Sequence, residues 1–131
     1  TLKAAKHIIV ISPYVEQQIR DRTAATFYHI DNPVDQRFFE LHNRANPRQF
    51  LFVGMIRARK GVLGLAEAVQ KLAEKHPDVK LHLVGKIFEP DYFDLLKKFI
   101  SENHLENDII YRGRLSDEEL FREFEDCQAV V

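Results

Sequence analysis

Residues 54 to 61 read GMIRARKG, and their chemistry is that of an anion site. Gly54 and Gly61 leave backbone amides approachable, Lys60 brings a point charge, and Arg59 brings a planar fork that matches paired phosphate oxygens. The octapeptide follows an apolar run, FLFV, and precedes an amphipathic stretch. Lys60 and Gly61 therefore fall at the start of an expected helix, where free amide donors and a partial positive charge favour an oligophosphate. The established phosphate patterns are missing. GxGxxG is absent and GxxxxGK[ST] does not fit 54–61, which disfavours a Rossmann dinucleotide site and a P-loop. From Leu41 to Ala66 there is no Asp or Glu, while Arg44, Arg48, Arg57, Arg59 and Lys60 all fall inside. The plainer reading of that stretch is a solvated basic face.

Other residues with chemical potential read as structural. The six histidines form no HExxH and no i, i+4 pair, so no metal site is expected. His82 alternates with Leu81 and Leu83 and reads as a partly buried packing residue. Ser12 precedes Pro13 at a helix start and reads as an N-cap, since IVISPYV lacks the glycines of a nucleophile elbow. Glu118 and Glu119 suit the dipole of a helix N-terminus, and the acidic stretch from Ser116 to Asp126 reads as an exposed helix face. Cys127 is the single cysteine, which forbids an internal disulfide and points to a reducing, cytoplasmic compartment; the residue reads as small, apolar and buried.

The elements that must position the octapeptide come from the hydrophobic pattern. HIIVIS is a strand and SPYVEQQIRDR a short helix ending near Thr23; FYHI (27–30) is a second strand candidate. The following DNPVDQRFFELHNRANPR is rich in Asn, Pro and Asp and reads as a linker loop. From Gln49 the pattern becomes regular. FLFVG is a buried strand, and VLGLAEAVQKLAEKH places Val62, Leu65, Ala66, Val69, Leu72 and Ala73 on one helix face, stopped by Pro77. KLHLVG is the next strand, and the helix at 90–105 turns Phe93, Leu95, Leu96 and Phe99 inward. DIIYRG follows, then a helix opened by Ser116 and Glu119 in capping-box register, then AVV as the start of a fourth strand. The alternation predicts an α/β fold with βαβ units and a parallel sheet, in which the loops at 54–61, 85–89 and 113–115 share the carboxyl edge where ligands bind.

The bulk numbers agree with a folded chain. The 131 residues suffice for one real core, and 45% apolar with 30% charged residues is a globular composition. A net charge of -1 offers no global attraction to nucleic acid or anionic lipid. The longest strongly apolar run, IIVI, is far too short to span a bilayer. The chain opens on Thr1 and closes on QAVV in mid-strand, so it is expected to be a fragment.

In order, HIIVIS, HIDNPVDQRFF, FLFVGMIRARKGVLGLAEAVQKL, VKLHLVG and IIYRGRLSDEELFREFEDCQAVV resemble the retaining nucleotide-sugar glycosyltransferases of group 1, family 4, with the GT-B architecture. The likeness runs nearly the whole length. Asn32, Val34, Asp35 and Phe39, or Phe38 one place off, sit on the family's interdomain linker motif. Gly54, Lys60 and Gly61 sit on its Gly-Arg-x-x-x-x-Lys-Gly loop, and Gly85 and Gly113 close the next two strands. The resemblance implies that Lys60 contacts the diphosphate of a sugar donor, with Gly54 and Gly61 shaping the loop, and that Gly113, Arg114 and Leu115 lie beside the nucleobase. One departure is that Met55 stands where the family has arginine, which passes that role to Arg59, with Arg57 as second choice. The family's Glu-x7-Glu motif would come after Val131, and its acceptor-binding domain before Thr1.

The resemblance thus implies three parts: a remnant of an N-terminal domain at 1–30, a linker at 31–48 that includes Asn32 and Asp35, and a partial nucleotide-sugar-binding domain at 49–131. It implies a nucleotide-sugar donor, an acceptor of unknown kind (glycan, lipid or small molecule), no cofactor, no metal and no nucleic acid. Membrane association through a missing domain is compatible with it, and the isolated chain is expected to be inactive. Two alternatives stay open. A stand-alone α/β module that binds nucleotide or phosphate without catalysis fits the periodicity, although a receiver-like version would need acids where FLFVG and IIYRG end in glycine. Nucleic-acid binding through the basic stretch is opposed by Phe50 and Phe52, which belong to a buried strand rather than a stacking surface.

Overall fold

A computed structural model of the protein describes residues 2–131. The chain divides into two compact units, one ending at Phe38 and the other running from Phe39 to Val131.

In the first unit, β1 (His7–Val10) pairs in parallel with β2 (Thr26–His29), and α1 (Pro13–Ile19) with a 3-10 turn at Arg20–Arg22 connects them. Ser12 holds the N-cap position, but its hydroxyl makes no capping bond. The fixed φ of Pro13 starts the helix without it. Among the described residues of this unit, Val10 is the buried apolar one, and Glu16 is a buried carboxylate. A buried carboxylate needs partners. Glu16 has Arg20 one turn along the helix and the His29 Nε2 at 2.6 Å from the end of β2.

The second unit is an α/β layer structure. Its strands are β3 (Asn46–Val53), β4 (Lys80–Val84), β5 (Ile109–Gly113) and β6 (Cys127–Val130), in the spatial order β5-β4-β3-β6 and all parallel. The helices are α2 (Val62–Ala73), α3 (Pro90–Glu102) and α4 (Asp117–Asp126). β3 starts at Asn46, earlier than the turn-forming Asn and Pro suggest, because Asn46 pairs with Cys127 on β6. Pairing with β4 begins only at Gln49, so Pro47 removes no donor from that ladder. Of the segment expected as loop, Asn46 to Arg48 are therefore strand, and Gln36–Phe39 form a 3-10 turn.

Strand alternation sends Phe52, Leu81, Leu83 and Ile109 to one face, where Val62, Ala66 and Val69 of α2 and Leu96 of α3 cover them. Leu51, Val84 and Cys127 go to the other, against Leu115, Leu120 and Phe124. Helix α2 uses the stripe that its periodicity predicts. On α3 one residue departs: Leu95 is 58% exposed, and Tyr92 and Ile100 join Phe93 and Phe99 on the packed side instead. Helix α4 opens with the expected capping box, in which Ser116 Oγ accepts from the Glu119 N–H and Glu119 accepts from the Ser116 N–H. The Ser116 N–H foremost, and then the Ser116 hydroxyl, which donates to the same Oε2 at 2.9 Å, hold the Glu119 carboxyl below its ordinary value. Among the described residues no helix is long and apolar enough to cross a membrane.

Two structural readings need correction. His82 does more than pack: its Nδ1 lies 2.5 Å from Glu123 Oε2, and Arg112 Nε reaches Oε1 of the same carboxylate at 3.0 Å. The acidic stretch is accordingly not one exposed face, since Glu123 is only 7% exposed. Glu123 lies beside Phe124 and one turn from Leu120 on α4, so its ion cluster with His82 and Arg112 fastens that helix to β4 and β5.

Candidate functional site

The loops leaving β3 and β4 continue the sheet for a few residues beyond its named strands. The Gly54 N–H donates to Val84 O (2.9 Å), the Ile56 N–H to Lys86 O (2.9 Å) and the Phe88 N–H to Ile56 O (3.0 Å). Ile56 and Ile87 form a parallel bridge. On the other side, the Gly85 N–H donates to Gly113 O at 2.8 Å and the Tyr111 hydroxyl to Gly85 O at 2.8 Å. Three strand ends are thereby laced together. The lacing needs a glycine at 85: φ there is +140°, and a Cβ would stand 2.0 Å from Gly54 O.

A cleft of about 390 Å³ opens over these strand ends, lined by Gly54, Met55, Gly85, Lys86, Arg114 and Leu115. Val53, Val84 and Leu120 complete its apolar lining. No carboxylate is among the lining residues, and two cations are. Sheet order places this cleft beside β3, the strand from which the chain runs outward to β4 and β5 on one side and to β6 on the other. Crevices at such a reversal of strand order are where open parallel sheets bind ligands.

The rest of the octapeptide follows a different course. Ala58–Lys60 form a 3-10 turn that ends at Gly61, whose φ of +69° is the left-handed conformation glycine tolerates best. Gly61 is also the N-cap of α2. The helix N-terminus is less open than its sequence implies, because the Leu63 N–H already donates to the Tyr92 hydroxyl at 2.7 Å. Glu89 enters the turn as well, accepting from the Ala58 N–H at 2.9 Å and standing 3.5 Å from Arg57 Nε. The Arg57 guanidinium stacks 4.5 Å from the Phe88 ring centroid. Arg59 and Lys60 stay exposed, and among the described residues neither enters an ion pair.

The structure thus brings Gly54, Arg114 and Leu115 to one cleft, with Gly113 bonded directly behind it. Arg57, Arg59, Lys60 and Gly61 lie outside that lining, on the turn into α2. Asn32 and Asp35 belong to the other unit. There the Arg37 guanidinium and N–H grip the Asp35 carboxylate, the side-chain bond foremost, and hold its pKa down at about 2.

The basic stretch from Leu41 to Ala66 is mostly neutralised by acids from elsewhere. Arg44 meets Glu125 (2.8 Å) and Asp126 (3.3 Å), and Arg48 meets Asp78. The sequence reading missed Lys86. Its signal was present in the pair VGMI (53–56) and VGKI (84–87), which the sheet aligns side by side. Among the described residues no group of three His, Cys, Asp or Glu side chains is placed to hold a metal ion.

Residues 34–131 match the family model for glycosyl transferases group 1. No curated protein sequence matches the chain. Among solved structures, a point mutant of S. aureus TarM in complex with Fondaparinux, alpha-GlcNAc-glycerol and UDP superposes with a TM-score of 0.73 at 20% identity, over 95% of this chain and 24% of that one. The pneumococcal O-GlcNAc transferase GtfA in complex with UDP and GlcNAc gives 0.69 at 17% identity, over 85% of this chain and 22% of that one. The C-terminal domain of the group 1 family protein LpcC from Francisella tularensis gives 0.59 at 20% identity, over 72% of this chain and 48% of that one. The chain spans between about a quarter and a half of the length of these proteins.

Proposed function

This chain belongs to the group 1 glycosyl transferases, and we propose that it carries the donor half of a sugar transfer from a nucleoside-diphosphate sugar, with retention of anomeric configuration. The observation that carries the reading is the carboxylate-free cleft at the carboxyl ends of β3, β4 and β5, with Lys86 and Arg114 on its walls.

In the proposed reaction the bond between the anomeric carbon and the diphosphate oxygen breaks, and the nucleoside diphosphate leaves with the electron pair. An acceptor hydroxyl oxygen forms the new bond and passes its proton to an oxygen of the departing diphosphate. The protein's task on the donor side is to stabilise the charge that grows on the departing diphosphate, for which fixed cations in a partly dry cleft are suited. Lys60 and Arg59 take that part, on the loop that Gly54 opens and Gly61 closes. Arg57 is the less available second choice because Glu89 and Phe88 hold its guanidinium. Gly113, Arg114 and Leu115 lie against the nucleobase.

On this reading 1–30 belongs to an N-terminal domain, 31–48 with Asn32 and Asp35 is the link, and 49–131 is part of the donor domain. The protein is cytoplasmic, the acceptor is a glycan, a lipid or a small molecule, and the diphosphate's charge is met by side chains with no resident metal. The 131 residues alone bind donor without turning it over.

Calorimetric titration of the chain with UDP, GDP and ADP tests the reading. Saturable binding of one of them is expected, weakened about tenfold by Lys60→Ala, equivalent to about 1.4 kcal/mol. Affinity unchanged in both Lys60→Ala and Arg59→Ala would remove the loop from the site.

A further inference from the structure

We propose that Lys86, on the loop after β4, is a diphosphate-binding residue of this cleft; the proposal rests on the donor reading above and names a cation that the reading alone does not. Three observations converge on it.

The first is register. Val53 pairs with Val84, and Ile56 bridges Ile87, so Met55 on one loop and Lys86 on the other occupy matching places two residues past the same pair. Both line the cleft, and both are exposed. At that place the β3 loop offers a thioether, which has no charge for phosphate, and the β4 loop offers an ammonium with three donors.

The second is the state of the surrounding charges. Arg44, Arg48, Arg57 and Arg112 each face a carboxylate within the protein. Among the described residues, Lys86 and Arg114 enter no ion pair, and the cleft they share has no acid in its lining. Two unneutralised cations converging on one concave, largely apolar surface raise the local potential for an anion well above what a net charge of -1 gives the chain.

The third is the loss of donors elsewhere on the octapeptide. Glu89 already occupies the Ala58 amide and faces Arg57, and Tyr92 occupies the Leu63 amide. The turn into α2 therefore offers an incoming diphosphate fewer donors than its sequence suggests, and Lys86 offers three with no internal competitor. With Arg114 beside the base, Lys86 stands on the β4 side of a ligand whose phosphates point back across β3.

Titration of the 131-residue chain with UDP, GDP and ADP, each beside its parent nucleoside, decides the matter. Lys86→Met keeps the length of the side chain, and at an exposed position it is expected to leave the thermal midpoint unchanged. It should weaken the bound diphosphate about tenfold, leave the nucleoside affinity unchanged, and be rescued to within roughly threefold of wild type by Lys86→Arg. Diphosphate affinity unchanged in Lys86→Met while Lys60→Ala lowers it would overturn the proposal and leave the donor reading standing. Equal loss for nucleoside and diphosphate would also overturn it, since Lys86 would then act by shaping the cleft. If the wild-type chain binds none of the three diphosphates, the donor reading itself fails and this proposal with it.

Discussion

The loops after β3 and β4 begin alike, as Val-Gly-Met-Ile and Val-Gly-Lys-Ile, and the sheet sets them side by side, yet they are held by different forces. In the β4 loop the glycine is a steric necessity, because any Cβ at Gly85 would collide with Gly54 O at 2.0 Å. In the β3 loop a Cβ at Gly54 would meet only the Phe52 ring, at 3.2 Å. The chemical difference runs beside the steric one. The β4 loop leaves Lys86 free over the cleft, whereas the cationic run after Ile56 folds into a turn into which Glu89 and Phe88 reach. A shared sequence pattern thus reports shared backbone pairing, and the residues between the pattern positions decide which loop has charge to give a ligand.

The largest test of this comparison is steric. Gly85→Ala must move the Gly54 carbonyl and hold alanine at φ +140°, which two laced strand ends resist. A loss of about 3 kcal/mol or more is expected from the clash and the strained backbone together. Urea denaturation of the two proteins measures it, and a loss below about 1 kcal/mol would show that the loops can separate without cost. The next test works on the chemical difference. Met55→Arg gives the β3 loop a charge matching Lys86 and facing the same cleft. Nucleoside-diphosphate affinity should rise about fivefold, close to 1 kcal/mol, and the gain should shrink as salt rises. An arginine that changes nothing would mean that position 55 does not face the phosphates.

How much of this was legible beforehand depends on the range of the interaction. The strands at 50–53, 80–84 and 109–113 and the helices between them follow from local apolar periodicity, and the capping box of α4 follows from Ser116 and Glu119 three residues apart. Both signals are complete within a few residues. Leu95 was misjudged because one apolar residue more than the stripe requires is not assigned a side by periodicity alone. The ion partners were illegible for a different reason. His82 meets Glu123 across 41 positions, and the Ala58 N–H meets Glu89, the partner of Arg57, across 31, so the first contact exists only once α4 lies on β4 and the second only once β4 pairs with β3. The anion chemistry of GMIRARKG was visible as composition, but which of its charges remain free is settled by Glu89, a residue outside it. Lys86 was missed for the converse reason: its one signal, the likeness of VGKI to VGMI, gains meaning only from the alignment of β4 on β3.

The smallest test separates the two glycines from the sequence pattern that makes them look equivalent. Gly54→Ala places a methyl group 3.2 Å from the far end of the Phe52 ring, a contact relieved by a few tenths of an ångström of ring movement. Phe52 belongs to the core under α2 and α3, so the movement is resisted, but by packing rather than by backbone. The expected cost is about 1 kcal/mol, in the range of mild overpacking, with part of it returned by the lower chain entropy of alanine in the unfolded state. Urea denaturation beside Gly85→Ala gives the ratio of the two. A threefold or larger difference upholds the view that only the β4 glycine is demanded by close approach of the strands. Equal costs would mean that both loops need glycine for one common reason, and the asymmetry between them would then lie in Met55 and Lys86 alone.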